Sequence, residues 1–203
     1  MDNKENEINN NIIYSQEAIE FVTVANEFCK LLENLNDFTL TEFIKNTYKI
    51  SSLLHLKALN FPKPDIKNKM TSETFITEAD WHFIDHAISQ KLGQFEIYTE
   101  IREPANTDTP IEISMSECLT DTYQDLKDFT QIYHIASENV IINAMNDCKT
   151  NFEQIWGPRI LAVLKEFHNL LYGIEELKTE DTDVNEAMSK GKNWIDNLFT
   201  DES

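Results

Sequence analysis

The sequence predicts an all-α fold, a helical bundle of five or six helices, from three observations. Only 4 Gly and 5 Pro occur in 203 residues, whereas average usage would give roughly 14 and 10, so the elements should be long. Apolar residues recur at intervals of three and four, as they do on the buried face of a helix. No run alternates convincingly between apolar and polar residues, as a half-buried strand would.

The first two helices are indicated by apolar spacing and by a cap. Residues 15–36 carry one apolar stripe and are predicted to form the first helix. Thr39 and Glu42 then form a capping box, in which hydroxyl and carboxylate each satisfy a free backbone N–H, and a second helix follows. Pro62 and Pro64 end it, because proline lacks the N–H and disfavours helical geometry in the preceding residue.

A third helix is predicted after a loop that runs to about residue 76. Thr77 and Asp80 cap its start, and Gly93 closes it. Its apolar stripe consists of Trp81, Ile84, Ile88 and Leu92. Residues 94–108 are predicted to be irregular or short helical chain.

The strongest predicted helix start is Thr109-Pro110-Ile111-Glu112, which combines an N-cap threonine, a proline at the first helical position and a glutamate at the third. This helix should run to about residue 136. After a break near Ser137, the helical period continues to residue 172. Pro158 either kinks one long helix there or begins a second one.

The two ends of the chain differ from its middle. Residues 1–13 are Asn-rich and acidic and are predicted to be a disordered arm. Residues 14–173 are predicted to form the bundle domain, and residues 174–203 are predicted to be a mobile acidic tail. Within the tail, Asp183 and Glu186 can cap a short amphipathic helix that presents Trp194 and Phe199. That helix either docks on the bundle or binds a partner, unless the tail is wholly disordered.

Charge and cysteine usage exclude several classes of function. The net charge is -19, so nucleic acid and anionic membrane surfaces should be repelled. Cys29, Cys118 and Cys148 form no CxxC pair, which favours reduced thiols in a cytoplasmic protein. The start of the chain lacks the features of a signal peptide, and no apolar run is long enough to span a membrane. No glycine-rich phosphate-binding motif occurs.

His82 and His86, four residues apart with Asp85 beside the second, raise the possibility of a metal site. On a helix, however, they lie roughly 120° to 160° from the centre of the stripe formed by Trp81, Ile84, Ile88 and Leu92. A catalytic zinc ion also needs a third protein ligand and an open position. The sequence therefore predicts solvated histidines and no metal or other cofactor, with a site at His82, Asp85 and His86 as the alternative.

A row of acidic residues on the fourth helix is the second candidate site. Measured against the stripe of Leu119, Leu126 and Tyr133, most of these acids fall on the opposite, solvated face. Because aromatic residues are favoured in interfaces, Tyr123 suggests that this face is a docking surface for a protein partner. The predicted partner-binding residues are Glu117, Asp121, Tyr123, Asp125, Trp194 and Phe199, and Asp128 belongs to the same acidic row.

Three segments resemble a known family: "AIEFVTVANEFC" (Ala18 to Cys29), "DTPIEISMSECLTDTYQDLKDF" (Asp108 to Phe129) and "NFEQIWG" (Asn151 to Gly157). They are similar to an uncharacterised all-helical domain of unknown function found mainly in Bacteroidetes. The resemblance covers about residues 14–172. It implies a cytosolic bacterial protein and assigns no activity, cofactor or residue role.

Two functional hypotheses follow. The first is a non-catalytic cytoplasmic module that acts through protein contacts as an adaptor or regulator. The alternative is a metal-assisted hydrolase or small-molecule-binding protein with a site between helices. A homodimer that completes its bundle across the interface is compatible with either hypothesis.

Overall fold

The computed structural model describes residues 11–66, 73–100 and 111–173. Six α-helices and one antiparallel hairpin lie within these ranges, so the predicted all-α bundle is confirmed. The elements are α1 (Gln16–Glu33), α2 (Leu40–Asn60), α3 (Glu78–Leu92), β1 (Ile97–Glu100), β2 (Ile111–Ser114), α4 (Met115–Ile135), α5 (Glu138–Asn151) and α6 (Gly157–Tyr172).

The predicted caps of α2 and α3 are present. Thr39 with Glu42 and Thr77 with Asp80 form reciprocal capping boxes at the starts of α2 and α3. Gly93 ends α3 at a φ of 54°, a backbone conformation that only glycine adopts at little cost. These local signals placed the starts of α2 and α3 correctly because each cap satisfies backbone groups of its own helix.

The hairpin corrects the prediction for residues 94–114. Ile97 pairs with Ser114 and Glu100 with Ile111, so the segment predicted as irregular or short helical chain contains a strand. The fourth helix was predicted to include Ile111 and Glu112. It begins instead at Met115. Its N-cap is Ser114, whose Oγ accepts a hydrogen bond from the backbone N–H of Glu117 at 3.1 Å. Thr109 and Pro110 lie outside the described residues.

A π-helical turn, Phe152–Trp156, joins α5 to α6. The N–H of Gly157 donates to the carbonyl oxygen of Phe152, five residues earlier. A Cβ at position 157 would collide with that oxygen and approach the Phe152 ring, so the turn requires glycine. Pro158 lies in the first turn of α6, a position at which proline is well tolerated. The chain therefore stays helical through this junction. Of the two predicted alternatives, Pro158 lies at the start of a second α-helix.

Helix α4 is the centre of the bundle and packs against α1, α3, α5 and α6. Between Cys118 and Ile132, all of its side chains are buried or half-buried. An aromatic cluster lies beside it, in which the Phe21 ring is 4.3 Å from that of Phe61 and 6.3 Å from that of the fully buried Trp156. The central position of α4 favours hydrogen-bond partners inside the fold for its acidic residues.

Two further predictions concerned the ends of the chain, the N-terminal arm and the C-terminal tail. Ile13, assigned to the disordered arm, is fully buried, and its carbonyl oxygen accepts a hydrogen bond from the Tyr133 hydroxyl at 2.6 Å. The predicted tail, 174–203, lies outside the described residues, together with Trp194 and Phe199. Within the described part of the chain, no helix has the length and apolar character needed to cross a membrane.

Candidate functional site

The histidine pair lies on the outer surface of α3. The side chain of His82 is 66% exposed, and its Nε2 is 3.8 Å from Glu78. His86 is also exposed. Asp85 instead accepts a hydrogen bond from the Oγ of Ser116, on α4, at 2.6 Å. Among the described residues, no group of three or more His, Cys, Asp or Glu side chains is arranged to hold a metal ion.

Asp85 belongs to a polar contact that joins α3 to the hairpin and α4. The Oγ of Ser116 is 2.8 Å from Glu96, and the Oγ of Ser114 donates to the same carboxylate at 2.5 Å. The backbone N–H of Ser116 also points at Glu96, at 3.3 Å. Glu96 thus satisfies free donors at the start of α4 from a distant point in the sequence, which is a structural role.

The prediction that the acidic row on α4 is solvated is wrong for Asp121, Asp125 and Asp128, because α4 is covered on several sides. Asp121 accepts a hydrogen bond from the indole Nε1 of Trp81 at 2.8 Å and forms an ion pair with Arg159. Only Glu117 of the four acids is exposed. The row is therefore not one continuous docking face.

Tyr123 is unavailable as a contact residue, since it is only 5% exposed. Its hydroxyl donates to Glu33 on α1 at 2.9 Å, and Lys127 donates to the same carboxylate oxygen at 2.6 Å. Burial, followed by the charge of Glu33, raises the pKa of Tyr123 well above its usual range. Tyr123 is thus a packing residue between α1 and α4, contrary to its predicted role in partner binding.

Asp125 and Asp128 line a hollow between α4, α5 and the chain that precedes α3. Its volume is about 290 Å³. Four carboxylates contribute to its wall, and none of the lining residues is basic. We call it the acidic hollow, and its lining residues are Glu73, Thr74, Asp125, Asp128, Phe129, Ile132, Ala144, Asp147, Cys148, Thr150 and Asn151.

Asp128 fixes one wall of the acidic hollow. Its Oδ1 accepts hydrogen bonds from the backbone N–H groups of Phe75 at 2.6 Å and Ile76 at 2.9 Å. Burial raises the pKa of Asp128, although these two bonds act in the opposite direction. Asp128 therefore holds the segment before α3 against α4.

Asp125 has a strongly raised pKa in the acidic hollow. Burial raises its pKa to about 6, and the charge of Asp128 adds to the effect, while a hydrogen bond from Asn151 Nδ2 at 2.9 Å acts against it. Strongly shifted carboxyl groups in clefts are frequent at functional sites. Near neutral pH the Asp125 carboxylate is therefore charged, but the hydrogen bond from Asn151 does not fully offset the cost of burying that charge.

Cys148 limits the chemistry available in the acidic hollow. Burial raises the pKa of its thiol well above the usual value, and the charge of Asp125 raises it further. Because the thiolate is the reactive form of cysteine, Cys148 is held in its unreactive state. The arrangement is suited to holding a positively charged group by its carboxylates, with Phe129, Ile132 and Ala144 as an apolar floor.

The sequence identified only half of this site. Asp125 and Asp128 are in the acidic row, but Asp147 and Asn151 come from α5 and Glu73 from the chain before α3. Asp147 and Asn151 are four residues apart and so lie on one face of α5, and this spacing was the sequence feature that could have indicated their part in the site. Which helix that face meets is decided by tertiary packing.

Two other concavities are less suited to a ligand. One of about 620 Å³ is lined by the ion pair of Glu20 and Lys57, whose opposite charges neutralise each other. One of about 240 Å³ contains Asp121 and Arg159, which neutralise each other.

Fold and site together define an all-helical bundle domain with an acid-lined hollow between its central helix and a neighbour. The chain belongs to the family described as domain of unknown function (DUF5063), whose model matches residues 12–173. This confirms the family resemblance inferred from the sequence.

A solved structure supports the same assignment. The chain is similar to the crystal structure of protein BF1032 from Bacteroides fragilis, a structural genomics target, with a TM-score of 0.72 and 30% sequence identity. The match covers 79% of this chain and 96% of that one. A search among curated proteins found no match.

Proposed function

We propose that this protein is a non-catalytic, cytoplasmic interaction module whose acidic hollow receives a lysine or arginine side chain of a protein partner. The observation that carries the proposal is the composition of the hollow, in which four carboxylates lie beside an apolar floor and none of the described lining residues is basic. An ammonium or guanidinium group forms charge-assisted hydrogen bonds with carboxylates, while its aliphatic stem packs on apolar surface.

The raised pKa of Asp125 should make the binding of a cation depend on pH. Its pKa is raised to about 6 mainly because burial disfavours the charged form. A cation placed beside the carboxylate favours the charged form and lowers the pKa again. Binding should therefore strengthen as pH rises through about 6, since the empty hollow must first release a proton from Asp125.

The size of the hollow favours one side chain of a larger molecule. At about 290 Å³, it lies at the lower limit of the range of roughly 300 to 1,000 Å³ that encloses whole small-molecule ligands. One amino-acid side chain fits such a volume and leaves the rest of its protein outside. The net charge of -19 would in addition attract a basic partner over a longer distance.

Two further features support a binding role in the cytoplasm. Cys148 is held as a thiol, so the hollow does not present an activated nucleophile at that position. Cys29, Cys118 and Cys148 are all free and buried, as is usual where thiols stay reduced.

The proposal is tested by NMR titration of the full chain with a short peptide that has blocked termini and a single lysine as its one charged residue. We expect shift changes centred on Asp125 and on the facing residues 144–151 of α5. The matched peptide with norleucine in place of lysine should cause none. Binding to the norleucine peptide with equal affinity would contradict the proposal.

Two variants and one small probe sharpen this test. Asp125→Asn should weaken binding of the lysine peptide, whereas Glu117→Gln, which removes an exposed charge from the same helix, should not. Free 1,4-diaminobutane supplies the same ammonium chemistry without a polypeptide. If it binds more tightly than the lysine peptide, the ligand is a free amine and the protein partner is refuted.

A further inference from the structure

Helices α2 and α6 pack side by side, on a part of the bundle separate from the acidic hollow. Tyr48 on α2 meets His168 on α6, with 3.0 Å between its hydroxyl oxygen and Nδ1. Further along α2, His55 contacts Phe152, which lies earlier in the chain than α6. The two helices are therefore antiparallel, and their adjacent flanks form the walls of a groove.

Three large apolar side chains on these flanks are exposed. Leu59 is 56% exposed, Leu161 is 50% exposed and Tyr172 is 68% exposed. At 100° per residue, Leu59 lies within about 20° of Tyr48, and Leu161 lies within about 20° of both His168 and Tyr172. Because Tyr48 contacts His168 and Tyr172, these side chains border the same groove. Such a groove between two helices has the shape that accepts an amphipathic helix.

We propose that the occupant of this groove is the C-terminal segment of the same chain, residues 183–199. The described chain leaves α6 at Gly173, immediately after Tyr172, so it emerges at one end of the groove. Residues 174–182 can span up to roughly 30 Å when extended, which is long enough to return along α6. Proximity gives an attached segment a high effective concentration, which favours it over a free partner.

The sequence of the segment is complementary to the groove. Its apolar residues recur with the period of a helix and form one stripe, which comprises Ala187, Met188, Trp194, Ile195, Leu198 and Phe199. The linker before it is acidic, with Glu175, Glu176, Glu180 and Asp181. Lys45 and Lys49 are exposed on either side of Tyr48, on the wall of the groove that the linker would approach. Apolar stripe and linker charge both match this surface.

Hydrogen exchange of the full chain tests the proposal. Amides of residues 187–199 should exchange at least about tenfold more slowly than an unstructured chain. Leu161→Glu places a charge in the groove and should abolish this protection. Phe83→Glu places the same charge on α3, at an apolar residue that is 73% exposed, and should leave the protection intact. Trp194→Ala with Phe199→Ala should increase exchange in residues 161–172.

Each other outcome would overturn the proposal. Exchange of residues 187–199 at the unstructured rate would show that the segment does not dock. Protection that survives Leu161→Glu would show that it docks elsewhere. Protection that increases with protein concentration would identify a second copy as the source of the docked segment, because docking within one chain is independent of concentration.

Discussion

The indole Nε1 of Trp81 donates a hydrogen bond to the carboxylate of Asp121 at 2.8 Å and so ties α3 to the central helix α4. Arg159 on α6 pairs with the same carboxylate. One acidic residue, predicted to face solvent, thus connects three helices. Its role in the fold can be tested separately from any role in binding.

Replacing Asp121 should distinguish these two contacts. Asp121→Ala leaves the Trp81 N–H without its acceptor and should lower the free energy of unfolding by about 1–2 kcal/mol. Asp121→Asn keeps an oxygen acceptor and loses the ion pair with a partly exposed arginine, which should cost at most about 1 kcal/mol. Urea denaturation followed by fluorescence measures both. Equal losses in the two variants would show that the Trp81 bond contributes nothing.

Asp128 should control the segment before α3. Asp128→Ala removes the acceptor of the Phe75 and Ile76 N–H groups, so those two amides should exchange faster and stability should fall by about 1–2 kcal/mol. Asp128→Asn is the matched control, because its side-chain oxygen can accept both bonds. Unchanged exchange at both amides in Asp128→Ala would contradict the anchoring role.

Asp125 should make stability depend on pH in an unusual direction. Its folded pKa of about 6 exceeds the ordinary value of 3.8, so the neutral acid favours folding at low pH. This contribution is lost as pH rises from about 4 through about 6. Asp125→Asn lacks this titration, and its stability relative to the wild type should rise by at most about 3 kcal/mol over that interval. A constant difference from pH 4 to pH 8 would mean that Asp125 titrates normally.

Gly157 should resist a change that normally stabilises helices. An exposed glycine in a helix gains about 1 kcal/mol when replaced by alanine. Here the added Cβ would collide with the carbonyl oxygen of Phe152, so Gly157→Ala should destabilise the protein by at least about 1 kcal/mol. Thermal unfolding of this variant and of Gln154→Ala, an exposed position in the same turn, provides the comparison. A stabilised Gly157→Ala would show that the π-helical turn relaxes without cost.

The elements that could be predicted are those whose signals are local. Thr39 with Glu42 and Thr77 with Asp80 satisfy backbone groups within one helical turn, so sequence alone located these helix starts. The start of α4 was mislocated because two capping patterns follow one another. Thr109 with Glu112 and Ser114 with Glu117 both fit the rule, and pairing of β2 with β1 selects the second.

The acidic row shows why the site could not be predicted in full. Helical phase correctly identified one buried stripe on α4, through Leu119 and Leu126. It also assumed that the opposite side faces water, which is true of a peripheral helix such as α3. Because α4 is central, Trp81 and the backbone of Phe75 cover that side and take up Asp121 and Asp128. The number of neighbours around a helix is a property of the whole fold.

The most direct test of the proposed binding function is the pKa of the Asp125 carboxyl group, measured by carbon-detected NMR in the full chain with and without the lysine peptide. We predict a value of about 6 in the free protein and a clear decrease at saturating peptide, because the bound ammonium group stabilises the carboxylate. The same titration with the norleucine peptide should leave the value unchanged. A pKa in the ordinary range for aspartate, or one that the lysine peptide does not lower, would contradict the assignment of the acidic hollow as a site for basic side chains.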